Sequence, residues 1–281
     1  SLVATMSPLR NHLMRSSKVI ITGKHALHMV SLMLTLSVLN ARADDSSAPE
    51  NSLTVGLAAN NTPRYSGAKQ HHWQAVPVIQ WREGPIFFDS QKGIGYDLQA
   101  ENGLYLEHTL GLSLGRSDRD SSWRAGDDSL KGMGNIDPVV NTALALGWSV
   151  TPWFIVEGKA TLPLSDSQGV QYQTSVTLIP WQTKSDTVAL QIAGLFGDAR
   201  YINTFYGVSR EQHVRSGYAD YTAHGGFYGT DASVTWSHQF ASGWGTSLIG
   251  DYSWLDKNAA DSPIVFRRGG ASVTAAITYS F

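Results

Sequence analysis

Hydrophobic and polar residues alternate with a period of two along most of this chain. Leu104, Leu106, His108, Leu110, Leu112 and Leu114 share one face of an extended segment, and Tyr105, Glu107, Thr109, Gly111 and Ser113 share the other. A strand sends successive side chains to opposite faces, whereas a helix would gather Leu104, Glu107 and His108 on one side. The pattern recurs in Val140, Leu144, Leu146, Trp148 and Val150, in Val170, Tyr172, Val176 and Leu178, and in Val188, Leu190, Ile192 and Phe196. It recurs again in Tyr228, Ala232, Val234 and Trp236, and in the closing run Ala271, Val273, Ala275, Ile277, Tyr279 and Phe281. The opposite faces carry small and polar residues.

The pattern predicts strands over 52–60, 72–82, 92–101, 103–115, 138–150, 153–163, 169–181, 186–197, 200–207, 225–238, 243–256 and 269–281. Many are longer than the five or six residues usual in a soluble sheet and match the length of a tilted strand that crosses a bilayer. Hydrocarbon cannot satisfy an open edge, so such a sheet must close. The expectation is an all-β, antiparallel transmembrane β-barrel of about 12 strands, within a range of 10–14. Trp73, Trp81, Trp148, Trp153, Trp181, Trp244, Trp254 and Tyr279 stand at or near strand ends, where interfacial girdles form. One feature strains this layout. With both termini periplasmic, the long segment 116–137 falls on the periplasmic side, where short turns are usual. It is then an inner plug or periplasmic feature, or an early strand is misread, with Ile86–Asp89 as the candidate omission.

Residues 1–43 read as upstream residues plus a signal peptide, and 44–281 as a single barrel domain. Arg15, Lys18 and Lys24 precede an apolar run from Met29 to Leu39, and Ala41-Arg42-Ala43 supplies small residues for cleavage. Met14 is the expected natural start. The apolar run is too short for a membrane helix. The predicted location is the bacterial outer membrane, reached by export with a cleavable signal.

Composition narrows the function. Of 21 Lys and Arg, five precede Asp44, which leaves 16 basic against 23 acidic groups in the body, a net of about −7. That balance speaks against a nucleic-acid partner. With no Cys, thiol nucleophiles, Cys-ligated metals and disulfides are excluded. His71, His72, His108, His213, His224 and His238 are scattered, and no GxSxG, HExxH, P-loop or GxGxxG context accompanies them. No catalytic, cofactor or metal site is expected, and the chain is read as a non-enzyme. The dense run Arg116, Asp118, Arg119, Asp120, Arg124, Asp127 and Asp128 is either a partner-binding or pore-lining constriction or a solvated loop held by ion pairs.

A set of short motifs carries a resemblance. They are Pro63-Arg64-Tyr65-Ser66-Gly67, the run from Pro77 to Phe88 with Phe87-Phe88, Gly93-Ile94-Gly95-Tyr96, and Leu114-Gly115-Arg116. Next come Tyr201 to Arg210 with Gly207, Ser216-Gly217-Tyr218, Tyr221 to Gly226, Leu255 to Val265 with Asp261-Ser262-Pro263, and the ending Tyr279-Ser280-Phe281. Their order and spacing from about residue 51 to Phe281 resemble the MltA-interacting protein (MipA/OmpV) family of outer-membrane barrels. The resemblance implies a scaffold that brings a membrane-bound lytic transglycosylase together with a peptidoglycan synthase. The alternatives are a small porin-like channel, or a surface antigen or adhesin. It also implies contact with outer-membrane lipid and lipopolysaccharide. In such barrels the terminal aromatic, here Phe281 with Tyr279, is the signal read by the barrel-assembly machinery.

Overall fold

The computed structural model describes residues 51–165 and 168–281; the expected leader lies outside the described residues. Twelve antiparallel strands form one closed barrel: β1 (Asn51–Pro63), β2 (His71–Glu83), β3 (Ile86–Asp89), β4 (Gly93–Gln99), β5 (Leu104–Ser113), β6 (Val139–Thr151), β7 (Phe154–Pro163), β8 (Gln171–Gln182), β9 (Asp186–Gly197), β10 (Gly226–Gln239), β11 (Trp244–Leu255) and β12 (Gly269–Ser280). Each strand pairs with its sequence neighbours. The first and last close the circle in a register running from Thr54 opposite Ser280 to Asn61 opposite Val273.

The expected strand number holds, but through two errors that cancel. Residues 200–207 are not a strand: Ala199–Tyr206 form a helix, α1. Ile86–Asp89, suspected of being a strand, is one. With β3 in place, the direction of every later segment up to β9 reverses. Segments 64–70, 114–138, 164–165 with 168–170, 198–225 and 256–268 then share one end, the loop end. The opposite end carries both ends of the barrel and the short turns 84–85, 100–103, 152–153, 183–185 and 240–243. Segment 116–137 therefore joins the other long loops, and the strain in the predicted layout disappears.

Alternation places the apolar face outward. Leu57, Ile94, Leu110, Leu112, Leu146, Ile192, Val273 and Ile277 are all exposed, while Thr109, Thr177, Asp231 and Thr274 on the opposite face are buried. Trp81, Trp148, Trp153, Trp181 and Trp244 ring the turn end, and Trp73 and Trp254 lie near the loop end; all are exposed. Tyr228 departs from the expected phase. A register shift between Phe227 and Gly229 turns it inward, where it is fully buried.

Some glycines in the wall make room for inward side chains. A Cβ on Gly147 would lie 2.2 Å from Tyr105 Cζ, and this ring crosses β6 so that its hydroxyl donates to Glu157 Oε1 at 2.9 Å. Gly147→Leu should displace Tyr105 and cost about 1–3 kcal/mol of stability. Gly158→Leu, at an exposed site with nothing within 4 Å of a Cβ, should be tolerated. Urea titration of the barrel in detergent checks this, and equal midpoints for the two variants would contradict it.

Candidate functional site

The two largest buried apolar clusters of the described residues lie at the loop end, where loops and helices pack over the mouth of the barrel. Helix α1 starts at Asp198, whose side chain accepts from Tyr201 N, and ends at Gly207. It buries Tyr201, Ile202, Phe205 and Tyr206, a helical spacing of one, four and five. These pack with Leu195, Ala223, Tyr228, Leu255 and Ala259. A second cluster joins Tyr65, Ala68, Ala125, Leu130, Met133, Val208 and Ile264. Fully burying one such side chain stabilises by about 1.5–3 kcal/mol, so the loops form a folded cap. Helices α2 (Arg210–Ser216) and α3 (Lys257–Ala260) complete it.

Polar tethers cross between the loops. Tyr65 donates to Ile264 O at 2.7 Å, Tyr221 to Asn258 O, Ser262 to Tyr206 O and Tyr218 to Ser129 O. Ser66 Oγ meets Tyr206 OH at 2.9 Å, and Gln212 donates to Met133 O. Gly67 O receives both Phe266 N and Arg267 N, and its φ of +104° suits glycine. Arg116 is buried and donates to Phe205 O near the C-terminus of α1, with its guanidinium 5.7 Å from the Tyr65 ring centre. A cation at the carbonyl end of a helix offsets the partial negative charge there. Burial holds the Tyr65 phenol up to about 12 and lowers the Arg116 guanidinium to about 10. Burial also raises Tyr201 and Tyr206.

Beneath the cap the lumen has two unlike halves. On one side Lys92 meets Glu107 at 3.0 Å, Arg82 meets Asp97 at 2.7 Å, and Lys159 lies among Glu107, Glu157 and Lys92. On the other, short polar side chains bond along the wall: Asn60 to Thr274, Thr54 to Ser280, Ser237 to Ser247 and Gln191 to Thr177. Thr109, Thr177, Asp231 and Thr274 are only 2–3% exposed.

The motif residues divide between these regions. Pro63, Arg64, Tyr65, Gly67, Arg116, Tyr201, Gly207, Gly217, Asp261, Ser262 and Pro263 belong to the cap or its rim. Gly217 closes α2 at φ +82°, and Arg64 pairs with Asp120 at 3.7 Å. Phe87 points inward beneath Arg82 and Lys92, while Phe88 is exposed. Gly93 and Gly95 let β4 approach β5: a Cβ would lie 1.9 Å from Leu110 O and 2.4 Å from His108 O respectively. Tyr279 stacks edge-on against Trp244 and Phe281 at the turn end.

The mixed-charge run is divided, with Arg119, Asp120 and Asp128 exposed. Arg116, Arg124 and Asp127 are buried, and Arg124 donates to Leu114 O and Ile136 O. The histidines are not brought together. His72 contacts Ser121 O, His108 contacts Thr142 Oγ1, His213 contacts Tyr218 O, and His238 contacts Asp186. Among the described residues, no three His, Cys, Asp or Glu are placed to hold a metal.

A family model described as "MltA-interacting protein MipA" matches residues 55–281. Two curated relatives named "Putative outer membrane protein YiaT", from Escherichia coli O157:H7 and Escherichia coli strain K12, are each 24% identical over 237 residues, covering 83% of this chain and 92% of theirs. Similar solved structures include the NanC porin at 9% identity, covering 82% of this chain and 98% of that one, with a TM-score of 0.40. The CymD monoaromatic hydrocarbon channel, at 8% identity, covers 82% and 88%, with a TM-score of 0.40. At these scores neither structure bears on what this barrel binds or passes.

The cap tyrosines fit only as neutral phenols, which fixes a sign. Tyr65 is raised from 10.0 to about 12, so its stabilisation is complete below pH 10 and is lost as pH rises from 10 toward 12. Arg116 acts in the opposite sense, since losing its proton above pH 10 relieves a buried charge. With Tyr201 and Tyr206 raised alongside Tyr65, the tyrosines should prevail. Tyrosinate absorbance should show a late step, coincident with new protease cleavage in 198–225. Complete ionisation near pH 10 with the cap still protected would contradict this burial.

Proposed function

This chain belongs to the MltA-interacting protein MipA family of outer-membrane barrels, and on that premise we propose that it is a non-conducting anchor for peptidoglycan-remodelling enzymes. In this reading it holds a lytic transglycosylase and a peptidoglycan synthase at its periplasmic rim. Outer-membrane barrels keep short turns in the periplasm and long loops outside, so the cap faces the exterior and the turn end faces the peptidoglycan. The observation that carries the reading is the packed cap over one mouth, above a stretch of lining side chains that are buried. That arrangement suits an anchor better than a porin-like channel. Five short turns make a small docking face, which favours a weak, reversible complex over an obligate one.

The cap supports a second reading, surface recognition as an antigen or adhesin. It is folded and presents Val214, 75% exposed, to the outside. The two readings use opposite ends of the barrel and separate by mutation.

The test is co-purification of the barrel in mild detergent with a periplasmic lytic transglycosylase and a peptidoglycan synthase, against an unrelated barrel of similar size. Selective retention is expected, reduced by the turn-end pair Glu101→Lys and Lys184→Glu and unaffected by Val214→Asp in the cap. No retention above the control barrel would sink the anchor reading. Sensitivity to the cap change instead would favour the second.

A further inference from the structure

The barrel wall is not of uniform height. Strand β3 has four residues and β4 seven, between β2 with thirteen and β5 with ten. Pairing of β2 with β3 spans only Gln80 to Glu83, and pairing of β5 with β4 stops at Leu110. Above the β3–β4 hairpin, β2 and β5 take no strand partner on their facing edges among the described residues. Three interstrand spacings separate them at the hairpin tip, about 14 Å. From Ile79 up to Trp73 the notch is roughly 15 Å high, allowing for strand tilt.

The notch is built into the sequence and is not a frayed edge. Ser90 fastens the hairpin tip to β2: its N–H donates to Ile79 O at 2.8 Å and its hydroxyl to Pro77 O at 3.0 Å. Asp89 Oδ1 accepts from Gln91 N and Lys92 N, and the buried Lys92–Glu107 pair pins the floor. Since Pro77 and Ile79 turn their backbone groups toward Ser90, alternation turns those of Trp73 and Ala75 into the notch. Pro77 has no N–H to strand there. The banks are apolar and outward-facing, with Trp73, Ile94, Leu110 and Leu112 exposed. Behind the notch runs the segment Ser121–Arg124, held to β2 where His72 Nδ1 meets Ser121 O at 3.0 Å.

Open backbone groups facing hydrocarbon are costly, and this edge lies between the Trp73 and Trp81 levels of the wall. We propose that the notch is a lateral lipid site, in which one acyl chain of an outer-leaflet lipid lies between β2 and β5. The carbonyl joining the chain to its headgroup accepts from the free edge near Trp73 and Ala75, so the first methylenes of the chain lie against the Ser121–Arg124 strap, which His72 holds at that height. The site depends on outer-membrane placement and is independent of the anchor reading.

The test uses the whole protein in phosphatidylethanolamine–phosphatidylglycerol vesicles doped with a phospholipid whose acyl chain carries a photoactivatable diazirine close to its ester carbonyl. After irradiation and trypsin, two peptides are followed by mass: 120–124, released by cleavage after Arg119 and Arg124, and 269–281, from lipid-facing β12. Both should carry label. In Ala75→Trp/Leu112→Trp, whose new rings narrow the notch from its lipid side, label on 120–124 should fall several-fold while label on 269–281 is unchanged. Absence of label on 120–124 in the parent protein, with 269–281 labelled, overturns the proposal. Equal labelling of 120–124 in the narrowed variant does the same.

Discussion

Everything in this structure answers to one constraint: backbone N–H and C=O groups that face hydrocarbon must find partners within the protein. The closed ladder of twelve strands meets it, and the seam between β1 and β12 removes the last open edge. Alternation follows directly, because a wall with lipid outside and a polar bore inside must change character at every residue. Among the described residues the ladder stops before the wall does at the short β3–β4 hairpin, and there Ser90 and Pro77 meet the demand only at positions 77 and 79. That a wall so regular elsewhere is specifically finished at this height is what gives the notch its meaning.

The apolar packing that in a soluble protein fills the interior here sits over one mouth. The lumen is lined by ion pairs and hydroxyl ladders, while Tyr65, Tyr201, Ile202, Phe205, Tyr206 and Ile264 pack above it. Lipid supplies the apolar environment for the outer face, so the barrel needs no large core. The loops, which face water, do need one. A cap stabilised in its own right covers one mouth of the barrel, and in the anchor reading this moves the weight of function from transport to the two ends. In the anchor reading the end with short turns meets the cell wall and the capped end meets the outside.

The barrel was legible in the sequence because period two is a strong signal once repeated over many strands. Errors arose where local chemistry mimicked a strand or broke its rhythm. The stretch Ala199–Tyr206 is rich in aromatic and β-branched residues and reads as extended, yet Asp198 before it, Gly207 after it, and apolar residues at 201, 202, 205 and 206 are the marks of a capped helix. Strand β3 is too short for alternation to register. Tyr228 took the wrong side because a bulge precedes Gly229, and a bulge leaves no reliable trace in spacing. Motif residues such as Tyr65, Arg116 and Ser262 had no physical role until the cap brought together loops 199 and 56 residues apart in sequence. Such contacts are beyond the reach of local pattern.

The most direct test of a shut bore is electrical. Purified protein inserted into a planar lipid bilayer in molar potassium chloride should give no steady single-channel conductance, even though folded barrel is present in the membrane. Stable, reproducible conductance steps from the unmodified protein would mean that the cap leaves the lumen open, and the account of this barrel as a closed anchor would fail.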